Sequence, residues 1–236
     1  VLRAILRTDF ASFVRKSFHT VAPHQTYLDN WHVQLIAWQL QQVAEGRIKR
    51  LLITLPPRHL KSICASVAFP AWMLGRDPSR RVVCASYSNE LTAKHARDCR
   101  AIVAADWYRA LYLRTRIDPA KDAELEFMTM DRGFRLGTSV GGTLTGRGGN
   151  LIIIDDPMKA ADAMSEVKRE AVTQWYDGTL YSRLDNKAED AIVIIMQRLH
   201  VDDLAGHVLR QEEWVHINIP AIAEVTQTYS LSEATS

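Results

Sequence analysis

Cysteine is scarce in this chain, and long apolar runs, an excess of charge of one sign and internal repeats are all missing. The three cysteines, Cys64, Cys84 and Cys99, are an odd number without C-x-x-C spacing. That pattern argues against metal and redox roles and leaves core thiols in a reducing compartment as the expectation. No apolar stretch approaches the ~18 residues of a membrane span. The opening VLRAILRTDFASFVRKSF carries charges throughout, where a secretory leader needs an unbroken apolar segment. A soluble intracellular protein is therefore expected. The 29 basic and 27 acidic side chains nearly cancel, to +2. No global field draws the chain to nucleic acid, so any such contact has to come from a local patch.

What is present is enough apolar residue, 47% of 236, for the core of a single domain. Leu6, Phe10, Phe13 and Val14 recur at helical spacing and predict one amphipathic helix over residues 3–17, packing on the core or lying on a membrane surface. Trp31, Leu35, Trp38 and Val43 predict a second helix, closed by Gly46. Apolar strands are predicted at 50–55, 82–85, 151–154, 191–196 and 214–219, with a hairpin at 124–130 and 133–138. Helices are predicted at 62–74, with Pro70 as a kink or early end, and at 90–103, 165–180 and 201–209. Residues 106–122 have no clear period. Strands alternating with helices predict an α/β fold, a three-layer αβα arrangement around a mainly parallel sheet.

In such a sheet the strand ends share one edge, where ligands bind. LLITLPPRHLKS, residues 51–62, runs from strand through a tight loop to Lys61-Ser62 and into a helix, as phosphate loops do. It lacks the two glycines of G-x4-G-K-[ST], which are replaced by Leu55 and Leu60. Leu151–Ile154 ends in Asp155-Asp156-Pro157, and Ala191–Met196 ends in Gln197. This is a nucleotide-triphosphatase layout: Lys61 neutralising phosphate, Ser62 and Asp155 holding Mg²⁺, and Asp156 orienting or deprotonating the attacking water. The other reading of the two aspartates is a turn before Pro157. His200, Asp202, Asp203 and His207 have the composition of a metal site, but their place fits a helix start better. Arg97, Arg100, Arg109, Arg114 and Arg116 could track a DNA backbone or form a solvated helix face. Five of the 11 glycines fall within residues 141–150, a loop that moves or presses its backbone on a neighbour.

PPRHLKS, FPAWMLGRDP, ASYSNELTAKHAR, GGTLTGRGGNLIIIDDP, WYDGTLYSRL and MQRLHVDDLAGHVL follow one another with the order and spacing of the large terminase subunit of tailed bacteriophages, which the chain resembles over residues 20–225. The resemblance implies an ASCE, RecA-like P-loop NTPase that uses ATP and Mg²⁺. It implies a nucleotide cradle of Pro57, Arg58, His59, Leu60, Lys61 and Ser62, with Gln34 reading adenine unless it is an ordinary surface glutamine. Arg58 would sense the γ-phosphate. Arg147 would be the arginine finger for a neighbouring subunit, unless it contacts DNA phosphate. Asp156 stands where the family has a catalytic Glu, and Gln197 where its coupling motif has Thr or Ser. The implied partners are double-stranded DNA, a small terminase subunit and the portal of a procapsid, in the host cytoplasm, with ring assembly or a monomer in isolation. The expected organisation is a lead-in over 1–30, an ATPase motor over 31–220 and a linker or tail over 221–236. A C-terminal nuclease domain is expected to be absent, and no nuclease activity is expected. The competing readings are a degenerate P-loop protein that binds DNA or terminase partners without efficient hydrolysis, and a helicase-type ATPase, which needs a second RecA-like domain.

Overall fold

The computed structural model describes residues 2–142, 144, 146–229 and 231. Its strands are β1 (Arg50–Thr54), β2 (Arg81–Ser86), β3 (Ile117–Asp122), β4 (Glu126–Thr129), β5 (Phe134–Ser139), β6 (Leu151–Asp155), β7 (Ala191–Met196) and β8 (Val215–Asn218). They form one eight-stranded sheet in the order β3-β4-β5-β2-β6-β7-β1-β8. From β5 to β8 every pairing is parallel, and the pairings of β4 with β3 and β5 are antiparallel. β6 and β7 are buried along their whole length, which is why their sequences are continuous aliphatic runs instead of alternating ones.

Both faces of those runs are covered. Leu51, Ile53, Cys84, Ile153 and Val193 face one core cluster, and Leu52, Val83, Ile152, Ile154 and Ile194 face the other, as the two-residue period of a strand requires. Helices α1 (Leu2–Thr8), α2 (Phe10–Val21), α3 (Trp31–Ala44), α4 (Phe69–Arg76), α5 (Asn89–Ala104) and α6 (Asp106–Leu111) fill the first cluster. α7 (Glu166–Trp175) and α8 (Leu204–Gln211) fill the second. The result is three layers. The three cysteines are buried and free, and burial pushes the Cys64 and Cys99 thiols up to about 12. Among the described residues no helix is long and apolar enough to cross a membrane.

The structure departs from the sequence reading in four places. The helix expected at 3–17 is two, because Asp9 interrupts it and caps α2 by accepting from Ser12 N–H at 3.0 Å. Phe10, Phe13 and Val14 are fully buried and pack on Phe69, Trp72 and Tyr108, so this face is core and not membrane surface. The helix after Lys61 opens with a π-helical segment, Ile63–Ala68, before α4. Pro70 does not end it: the helical backbone runs on from the π-helical segment through Pro70 to Arg76. Residues 106–122 hold α6 and the mostly exposed strand β3, whose sequence IDPAKD has no apolar face to announce it. Beyond β8 the described part of the expected tail runs irregularly back to α3, where Tyr229 stacks on Trp31 with centroids 5.9 Å apart; residues 230 and 232–236 lie outside the described residues.

Candidate active site

β1 delivers the chain to the sheet edge at Thr54. Leu55, the first missing glycine, is buried and donates its N–H to Met196 O at 3.0 Å; it prolongs the strand and needs no positive φ. The second missing glycine is different. Leu60 has φ +59° and Arg58 φ +65°, the left-handed conformation that costs a side-chain-bearing residue about 1–2 kcal/mol. Leu60 nevertheless holds the geometry that glycine would provide, and its partly buried side chain packs against the first core cluster. Pro57, Arg58, His59, Leu60, Lys61, Ser62 and Asp156 line one open cavity of about 380 Å³.

Lys61 and the two aspartates converge there from β1 and β6, with β7 between them. Lys61 is buried, and its Nζ lies 2.7 Å from Asp156 Oδ2. Beyond this ion pair the ammonium has no hydrogen-bond partner among the described residues. Asp156 has φ +44°, and its Oδ1 accepts from Gln197 N–H at 3.0 Å. Burial, then the neighbouring Asp155 charge, hold its carboxyl above the usual range, against the pull of Lys61. Asp155 is 1% exposed. Its Oδ2 accepts from Ser66 Oγ at 2.7 Å, and its Oδ1 has no partner. Burial raises its pKa as well, while the Ser66 and Ser62 hydroxyls and the Lys61 charge lower it. His95 Nδ1 stands 3.8 Å from the same Oδ2. Burial, aided by the Arg135 and Lys94 charges, pushes this imidazole down to about 4, so it faces Asp155 as a neutral ring. Ser66 and His95 were not among the residues singled out from sequence: Ser66 and Asp155 lie 89 residues apart, and no local pattern links them.

Among the described residues no group of three or more His, Cys, Asp or Glu is placed to hold a metal ion. A magnesium ion bound with a nucleotide does not need one, because it takes one or two protein oxygens and completes its shell with phosphate and water. The partnerless Asp155 Oδ1 beside the Ser62 position is such a donor set.

A second cavity of about 470 Å³ shares Pro57 with the first and reaches Gln197, Asn218, Ile219 and Pro220. A third, about 400 Å³, shares Ile219 and Pro220 and ends at Trp31 and Tyr229. These shared residues place the three cavities side by side, from the loop before Lys61 to the segment after β8. Gln34 is not among the residues lining them, and its amide donates to Asp29 at 3.1 Å. Its neighbour His32 instead touches the loop, with Nε2 3.3 Å from His59 O.

Arg147 lies elsewhere. It pairs with Glu126 and stacks over Phe134 at 5.5 Å. Phe134 and Arg81 are in register at one end of the sheet, whereas Ser86 and Asp155 are in register five residues further on, roughly 16 Å away. Arg147 therefore sits toward the edge opposite its own Lys61. Of the glycine-rich loop, Thr143 and Thr145 lie outside the described residues. Gly149 presses its backbone on a neighbour, since a Cβ there would meet Arg81 O at 2.7 Å, whereas a Cβ on Gly141 or Gly146, both at positive φ, would meet nothing within 4 Å.

The other polar clusters are structural. Asp203 caps α8, accepting from Gly206 N–H at 3.0 Å, from Leu199 N–H and from Arg198 Nε. A Cβ on Gly206 would meet Val201 O at 1.9 Å, which accounts for the glycine in VDDLAG. Arg97 pairs with Glu124, Arg100 with Asp122, and Arg114 with Asp131.

No protein-family model and no curated protein matches the sequence. Among solved structures the chain is similar to the crystal structure of the HK97 bacteriophage large terminase, with 13% identity and a TM-score of 0.52, over 90% of this chain and 43% of that one. The sheet that brings Lys61 and Asp155 together thus belongs to a chain that shares the fold of the HK97 bacteriophage large terminase and spans less than half of that protein's length.

Proposed function

We propose that the chain is the ATP-hydrolysing motor of a phage DNA-packaging terminase, a P-loop NTPase of the ASCE class that drives double-stranded DNA into a procapsid. One observation carries the proposal: at the tips of β1 and β6, with β7 between them, a buried lysine is paired to the partly buried Asp156 beside the buried Asp155, which keeps a partnerless oxygen. Burying such groups short of partners is costly, and a magnesium triphosphate offers each what it lacks.

In this reading Lys61 and the N–H groups of the left-handed loop take phosphate oxygens, and Arg58, exposed at the mouth, meets the γ-phosphate. Ser62 and Asp155 hold Mg²⁺, which neutralises charge building on the phosphates. Asp156 positions and deprotonates water. The cavities reaching Trp31 give room for a base, with Gln34 one turn along α3. Gln197, whose N–H holds Asp156, links β7 to the reacting end. Arg147, set away from its own Lys61, serves a neighbouring subunit's site in a ring on the portal, with a small terminase subunit and DNA as further partners, in the host cytoplasm.

A specific observation favours the second reading, a P-loop protein that binds without efficient hydrolysis. Both oxygens of Asp156 are engaged, by Gln197 N–H and by Lys61, so the base is blocked until phosphates draw Lys61 away. Thermal unfolding with Mg·ATP tests the proposal. At a hundredfold excess over Kd the folded state gains about 2.7 kcal/mol, with phosphate release on incubation. A shift without phosphate release means binding without efficient hydrolysis, and no shift favours a degenerate P-loop protein that binds DNA or terminase partners instead of nucleotide.

A further inference from the structure

The two oxygens of Asp155 are not equivalent. Oδ2 is taken by Ser66 Oγ at 2.7 Å and backed by His95 at 3.8 Å, whereas Oδ1 is buried with no partner. Ser66 is itself 1% exposed. A buried helical serine ordinarily returns its hydroxyl to the carbonyl one turn back. Ser66 instead donates across to β6. It does so from the π-helical segment Ile63–Ala68, a departure from regular helix that is rare and concentrated at functional sites. Ser62, at the entry to this segment, lies on the same side, since its hydroxyl also acts on Asp155.

We infer that Ser66 is a positioning residue for the magnesium ion: by clamping Oδ2 it fixes the carboxylate plane and leaves Oδ1 as the oxygen offered to the metal. A free Asp155 side chain could rotate about its last torsion and present either oxygen or a hydrogen-bonded one. The clamp removes that freedom before the ion arrives. Its hydroxyl also supplies a charge-assisted bond to a carboxylate taken out of water. The inference rests on the nucleotide reading above, and it separates from that reading because Ser66 is not among the residues lining the three cavities described above and its hydroxyl goes to Asp155, not to a group assigned to phosphate or base.

The test uses the wild-type chain, Ser66→Ala and Ser66→Thr. Unfolding temperature is recorded with ADP in EDTA and then across a Mg²⁺ titration at constant ADP. The wild type is expected to gain one shift from ADP alone and a further, saturable shift from Mg²⁺. In Ser66→Ala the metal-free shift stays, while the Mg²⁺ midpoint moves about 10- to 100-fold higher, the usual cost of losing a group that orients a metal ligand. Ser66→Thr, which keeps the hydroxyl, restores the midpoint. Should alanine not fold, Ser66→Cys keeps the volume with only a weak donor, and its midpoint is read in the same way. An unmoved Mg²⁺ midpoint in the alanine or cysteine variant overturns the inference alone, as does an equal loss of the metal-free shift. A wild type that responds to ADP neither with nor without Mg²⁺ overturns the nucleotide reading and this inference with it.

Discussion

At the tips of β1 and β6, charge is buried and short of partners: Lys61 and Asp155 are 5% and 1% exposed, and each keeps an atom with no hydrogen bond. Along α5 and the β3–β4 hairpin, charge at Arg97 and Glu124 is exposed and matched. Both regions looked functional as sequence, one as a phosphate site and the other as a possible DNA track. The fold separates them by a physical criterion. Exposed pairs cost little and add little, so they record only that the hairpin is tied to the helix. Buried groups without partners are kept at a cost; Arg135 is another such group, and what sets Lys61 apart is its place on the rim of an open cavity beside Asp156.

The largest effect expected from breaking this contrast is at Lys61. Lys61→Ala removes the only cation facing Asp156 among the described pairs and should abolish the Mg·ATP-induced shift in unfolding temperature, which corresponds to a loss of at least about a hundredfold in affinity at the excess that gave ~2.7 kcal/mol. A variant keeping most of the wild-type shift would take the phosphates away from this loop. Removing the lysine also takes away the charge that offsets burial of Asp155 and Asp156, and stripping one partner from a buried ion pair is destabilising, so the fold of the variant is checked by circular dichroism before its shift is read.

The same contrast shows how far the sequence could be read. The strands were legible because β1, β2, β6 and β7 are buried on both faces and so read as aliphatic runs that charge or turn residues terminate. The ends of those runs located Lys61, Asp155, Asp156 and Gln197. β3 was illegible because its outer half is exposed and contains a proline, and the break at Asp9 was hidden by a helical period that continues across it. The partners that complete the site were illegible for another reason. Ser66, His95 and His32 are brought in by packing between elements far apart in sequence, and each looks like an ordinary helix residue. Leu60 is the instructive intermediate. Sequence located the missing glycine, and only the backbone reveals that a leucine can hold φ +59° there with its side chain turned into the core.

A middle-sized effect is expected at His95, whose imidazole burial lowers from 6.5 to about 4. Above pH 6.5 it is neutral folded or unfolded and favours neither state. Between about 6.5 and 4 the unfolded chain binds a proton that the folded chain refuses, so stability falls as pH falls. Below about 4 the penalty is complete, at about 3 kcal/mol. Denaturant unfolding from pH 7 to 4 should therefore be steeper in pH for the wild type than for His95→Gln. Asp155 and Asp156 are raised by burial and act in the opposite sense, losing stability as pH rises, but they are present in both proteins and largely cancel in the difference. Identical pH slopes would mean that His95 is not held neutral beside Asp155.

The smallest effect is expected where charge is paired and exposed, and it is the sharpest check on the contrast itself. Arg97 meets Glu124 at 2.8 Å with both side chains more than half exposed. Such a pair contributes below about 1 kcal/mol, so Arg97→Ala should leave the unfolding midpoint almost unmoved. If the arginine is only a tie between α5 and the hairpin, the affinity for a short DNA duplex and its dependence on salt are also unmoved. If it follows a phosphate in the complex, the slope of log affinity against log salt falls by about one, with a loss that is uniform across sequences. That second result would mean that the Glu124 pair is what Arg97 makes when no DNA is present, much as Lys61 faces Asp156 when no nucleotide is present. Pairing would then be a resting arrangement in both regions, and burial alone would distinguish the proposed nucleotide site from a surface that holds DNA.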